Sequence, residues 1–171
     1  MKTVRLAAAV QCALLVVFGP VAIAQSAPDA LPRIEEARLL EYWKLGRPEG
    51  KPPALYPKSA VAAGASGCVA VAFRIDANGV PAQPRVLRSY ISKKEGDAIR
   101  TEFEQRVLEN VPHWRYSPVT ATPQPVDTYV TVTAVAALGL QSRKLQDEVA
   151  AHCRVDDFLA EPAAAPAAKT E

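Results

Sequence analysis

The sequence predicts an α+β fold, a small antiparallel sheet of three strands in the order strand, strand, helix, strand. The sheet packs on one long helix, with extra helices at its N- and C-terminal sides. Three observations predict it. "CVAVAFRIDANGV" alternates over residues 68–80 and contains an Asn-Gly pair. Ile99, Phe103, Val107 and Val111 recur every four residues, joined by Leu108. "DTYVTVTAVAAL", residues 127–138, is rich in Thr, Val and Tyr.

In chain order, residues 1–24 come first. Lys2 and Arg5 are followed by an apolar run from Leu6 to Phe18, then Gly19-Pro20 and Ala22-Ile23-Ala24. This is the layout of a secretory signal peptide cut before Gln25. The rival reading is an uncleaved inner-membrane anchor, because Leu6 to Ala24 is nearly long enough to span a bilayer. The Gly-Pro break and the small residues at the end favour cleavage. Export then places the chain in the periplasm. Cleavage removes Lys2 and Arg5, so the net charge falls from +2 to neutral. A neutral chain without a basic block excludes nucleic acid as the expected partner.

Residues 25–52 read as a linker with a short helix. Pro32 opens that helix, and Leu39, Leu40 and Trp43 share one face by spacing. "ALYPKSAVAAG" reads as a short helix after Pro57, ended by Gly64. The first strand puts Val69, Val71, Phe73 and Ile75 on one face and Ala70, Ala72 and Arg74 on the other. Asn78-Gly79 turns it back as a hairpin. The return strand runs from Ala82 to Tyr90, unpaired or bulged at Pro84. Ser92 and Glu95 have capping-box spacing for the long helix, which Pro112 ends. After the third strand, residues 139–160 hold a C-terminal helix with Leu145, Val149 and Cys153 on one face. Residues 161–171 carry too little large apolar surface to order themselves.

Cys12 leaves with the signal peptide, and Cys68 and Cys153 remain. Two thiols in an exported chain most simply form a disulfide, with two unpaired buried thiols as the alternative. Such a bridge closes a long loop, for a chain-entropy ceiling of roughly 4–5 kcal/mol.

Catalytic chemistry finds little support. His152 and Cys153 are neighbours, and helical neighbours diverge by about 100°. No orienting third group or oxyanion site accompanies them. Two histidines and two cysteines lack the close ligand pairs of zinc modules. There is no G-x-S-x-G, Walker or H-E-x-x-H sequence. The reading is a protein that is not an enzyme, with no catalytic, metal or cofactor site. "WRYSP", residues 114–118, is then a structural corner. Trp114 folds back over the core, Arg115 and Tyr116 alternate out and in, Pro118 blocks further pairing, and His113 sits on the turn surface.

The span 53–138 resembles the C-terminal domain of TonB-type energy transducers. The residues that carry the resemblance are Tyr56, Pro57, Ala60 and Gly64, then Gly67 before the strand from Val69 to Ile75. Gly79-Val80, Val86 and Ser89 follow, then Trp114 to Pro118 and Pro125-Val126. The resemblance implies a periplasmic fold and a function. Its family transmits inner-membrane energy to outer-membrane receptors, and its last strand accepts a receptor peptide as an added strand. An unpaired sheet edge offers N–H and C=O groups that an extended peptide can satisfy. Here the partner-binding edge is Thr128, Tyr129, Val130, Thr131, Val132, Thr133 and Ala134. The partner is a protein or peptide, with a segment of an outer-membrane receptor foremost. The alternative is a structural or assembly protein whose edge forms a homodimer without energy transduction. The family's anchor carries a serine and a histidine for the proton-driven motor, and Leu6 to Ala24 has neither. Residues 25–52 span on the order of 100 Å at most, short for the family's Pro-rich spacer.

Overall fold

The computed structural model describes residues 31–93, 96–136 and 143–160. Residues 1–30, with the expected signal peptide, lie outside the described residues, as do Glu95 of the expected capping box and the tail from 161. Among the described residues the strands and α-helices are β1 Arg33–Ile34, α1 Glu36–Leu39, β2 Trp43–Leu45, α2 Lys58–Ala63, β3 Gly67–Ile75, β4 Pro81–Ile91, α3 Asp97–Asn110, β5 Tyr116–Pro118, β6 Val126–Ala134 and α4 Arg143–Ala151, with a 3-10 turn at Val111–His113 after α3.

Alternation in β3 organises the molecule. Val69, Val71, Phe73 and Ile75 face forward into a core with Phe103 and Val107 of α3, Val111, Trp114, Tyr116 and Val126. Cys68, Ala70 and Ala72 face backward, where Val149, Cys153, Val155, Phe158 and Tyr129 pack. The small side chains at 70 and 72 let the C-terminal segment approach the sheet closely. A disulfide joins Cys68 to Cys153 and fastens that layer. The sheet is thus covered on both faces, by α3 in front and by α4 with its following turn behind.

The strand order is β1-β6-β3-β4. β3 pairs antiparallel with both β4 and β6. The expected three antiparallel strands are therefore present, with β3 central, and β1 adds a fourth, parallel to β6. The hairpin turns at Gly79, whose φ is 78°; a Cβ there would lie 1.9 Å from the Tyr116 carbonyl oxygen, so only glycine fits. The return strand bulges at Gln83-Pro84, opposite Phe73, with Gln83 at φ 55°. α2 runs from Pro57 to a left-handed Gly64, as its sequence indicates.

Three local expectations change. The helix read from Pro32 to Leu45 is one turn, α1, between two short strands. Ile34 pairs with β6 and Trp43 with β5, and this tertiary pairing outweighs helical spacing. Leu39 and Trp43 are buried as their spacing suggests, but Leu40 is 70% exposed. Ser92 does not cap α3, which starts at Asp97 after Gly96; its hydroxyl instead accepts the Ser66 N–H at 2.9 Å. Pro118 does not stop pairing either. It lies in β5 opposite Trp43, and the Val119 N–H reaches the Tyr42 carbonyl at 2.9 Å. Proline is tolerated there because β5 is an edge strand.

Candidate partner-binding edge

Hydrogen-bond alternation decides which backbone groups of β6 face outward. The Asp127 N–H donates to the Pro32 carbonyl at 2.9 Å, away from β3. In an antiparallel pair the direction alternates with every residue. The amides of Tyr129, Thr131 and Thr133 therefore share the outward border, while those of Val130 and Val132 pair with β3.

The chain itself covers part of this border. Arg33 and Ile34 lie parallel to Asp127 and Thr128. The Thr128 hydroxyl adds a bond to the Ile34 carbonyl at 2.8 Å. Asp127, only 4% exposed, fixes the arrangement. Its carboxylate takes a two-pronged bond from Arg85, at 3.1 and 3.0 Å, and Arg33 Nε stands 3.3 Å away. The Arg33 guanidinium also lies over the Phe158 ring, 4.3 Å from its centre. Further along, Glu36 takes over from backbone. Its carboxylate accepts the Thr131 N–H at 2.8 Å and the Thr131 hydroxyl at 2.9 Å.

The edge expected to be open from Thr128 to Ala134 is thus narrower. Thr128 lies under β1, and Tyr129 turns into the back core, its hydroxyl donating to the Val155 carbonyl at 3.3 Å. Burial pushes the Tyr129 phenol above its ordinary value, and Glu36, Glu35 and Asp156 push it the same way. Val130 and Val132 face forward. Thr131 is held by Glu36. Thr133 and Ala134 lie past the last of these contacts. Sequence reasoning missed Arg33, Glu36 and Asp127 because their pairings span about ninety residues of chain and leave no local period. The one available signal was Asp127, the single charged residue in the strand.

Beside this border lies an apolar groove of about 550 Å³, lined by Leu39, Trp43, Leu55, Trp114, Val130 and Val132 among others. Trp114 and Tyr116 of the "WRYSP" corner line it as well. The Trp114 ring meets Phe73 edge-on at 5.6 Å, and Tyr116 packs on Phe73 at 5.8 Å. Burial drives the Tyr116 phenol far above its ordinary range, and the Glu36 charge adds to this. Arg115 pairs with Glu49 outside the core. His113 is half-buried, its Nδ1 3.1 Å from the Glu49 carbonyl oxygen. The other histidine, His152, stacks on Tyr90 at 3.8 Å. Cys68 and Cys153 are both held in the disulfide, so neither carries a free thiolate.

Residues 52–135 match the model of the Gram-negative bacterial TonB protein C-terminal. These residues form a TonB C-terminal-like domain. Among solved structures, the solution NMR structure of the Pseudomonas aeruginosa TonB C-terminal domain is similar at 23% identity and a TM-score of 0.40. The match covers 59% of this chain and 89% of that one. Comparison with curated protein sequences gives no match. The TonB C-terminal-like span holds β3, β4, α3 and β6. The segment that covers the border, β1 and Glu36, precedes the matched residues, and Cys153 follows them. No helix among the described residues is long and apolar enough to cross a membrane.

Proposed function

We propose that this chain is an exported recognition module of the periplasm. It captures an extended segment of an outer-membrane transport receptor as an added strand on β6, in energy-coupled transport. One observation carries the reading. The outer border of β6 already holds a strand, Arg33–Ile34, in regular register, and among the described residues the strand pairing on that border ends at the Ile34–Thr128 pair. A border that accepts two residues of the chain's own backbone offers the same N–H and C=O groups to a guest further along. The partner contact therefore belongs to Thr131, Thr133 and Ala134, with the neighbouring groove choosing side chains.

A photo-crosslinker placed at Thr133 in the exported protein tests this in Gram-negative cells. The expected adduct is an outer-membrane receptor, joined through an extended segment. An adduct between two copies of the chain instead overturns the reading in favour of a homodimer built on the same edge.

A further inference from the structure

We infer that Glu36 is a plug built into the chain, an autoinhibitory side chain that occupies the place of a guest carbonyl until a partner strand displaces it. The inference rests on the strand-addition reading above. A carboxylate oxygen and a peptide carbonyl oxygen present the same acceptor to an N–H group. Glu36 offers two, one to the Thr131 N–H at 2.8 Å and one to the Thr131 hydroxyl at 2.9 Å. The side chain takes over where the backbone of β1 leaves the sheet to enter α1.

The two parts of this cover differ in permanence. Arg33 and Ile34 are anchored, the first by Asp127 and Phe158 and the second by burial at 6% exposure. Glu36 is half-buried at the lip of the groove, and a rotation of its side chain frees Thr131 without moving β1. A guest strand that adds over Thr131–Ala134 displaces the side chain and leaves the anchored strand in place.

The built-in strand also states what such a guest presents. Ile34 points its side chain into the front core, while Arg33 points backward to Asp127 and Phe158. A guest that continues along the same border alternates in the same way. Its forward side chains enter the groove between Trp43, Leu55 and Val132, which takes large apolar residues. The guest is an extended protein segment with an aliphatic residue at every second position, and its backbone carbonyl replaces the Glu36 carboxylate on Thr131.

Amide-resolved NMR titration of the exported chain tests the plug. The probes are acetyl-Lys-Thr-Ile-Thr-Ile-Thr-Lys-amide and the same peptide with serine in place of isoleucine. The isoleucine peptide shifts the Thr131 and Thr133 amides, and Glu36→Ala tightens it about tenfold. Glu36→Gln, a neutral and weaker acceptor of the same length, tightens it by about threefold. The serine peptide binds at least about tenfold more weakly to all three proteins. Unchanged or weaker binding by both Glu36 variants, with the edge amides still shifting, overturns the plug and keeps strand addition. Equal binding of the two peptides overturns the apolar seat. If no protein shows shifts at 131–134 with either peptide, strand addition falls and the plug with it.

Discussion

The sheet has two borders, and they are protected by opposite means. On the β4 side the protection is written into the strand. Pro81 and Pro84 contribute no N–H donors, and Gln83 breaks the regular backbone with a positive φ. Such an edge resists pairing with any other strand. On the β6 side the strand is regular over its whole length and opposes β3 at every residue from Val126 to Ala134. Its protection comes from elsewhere in the chain, two residues of β1 and one carboxylate. A blunted edge loses donors for good. A covered edge keeps its pairing capacity.

The largest expected effect comes from removing the anchor of the cover. Asp127→Ala leaves two guanidinium groups without their shared carboxylate, and breaking a buried pair in this way costs about 3–5 kcal/mol. Urea unfolding measures the loss. A loss below about 1 kcal/mol would mean that β1 is held by Phe158 and Ile34 alone. A sharper comparison places proline at an outward amide on each border. Thr133→Pro is expected to abolish binding of the isoleucine peptide, whereas Ser89→Pro on β4 leaves it intact, both within about 1 kcal/mol of the parent in stability. Equal effects of the two would erase the distinction between the borders. Proline at Val130 or Val132 is a different experiment, since their amides belong to the ladder with β3.

The smallest effect is a pH dependence. Tyr129 on β6 and Tyr116 under the groove have folded values raised above the ordinary 10.0. Below pH 10 both phenols are neutral in the folded and unfolded chains, and stability is unaffected. As pH rises past 10 only the unfolded chain ionises them, so stability falls up to the folded values. Thermal melts at about pH 9 and about pH 11 check the sign. Tyr129→Phe removes part of the slope.

Elements with a local signature were legible in the sequence. The alternation of β3, the Asn-Gly turn, the four-residue step of α3 and the Pro57–Gly64 helix all declare themselves within a few residues, because the physics that makes them is local. The Cys68–Cys153 pair was legible from chemistry and context, since a disulfide is the simplest arrangement for two thiols in a chain expected to be exported. The N-terminal segment was not. Its helical spacing is real over Leu39 and Trp43, yet Ile34 and Trp43 are claimed by strands far away in sequence. Asn110 was missed as well. Its side-chain amide is buried and donates to the carbonyls of Pro53 and Arg106, at 3.0 and 2.9 Å, sealing the end of α3 against the linker. The candidate edge was identified by strand, but its cover was a tertiary fact that composition cannot carry.

The bridge between Cys68 and Cys153 has a consequence for when the molecule becomes whole. In a reducing compartment the two sulfurs stay as thiols, and the rear layer leans on Val149, Val155 and Phe158. Oxidation outside that compartment clamps it. Completion of this fold is thereby coupled to the redox state around it, and a chain kept under reducing conditions stays one covalent bond short of its finished form.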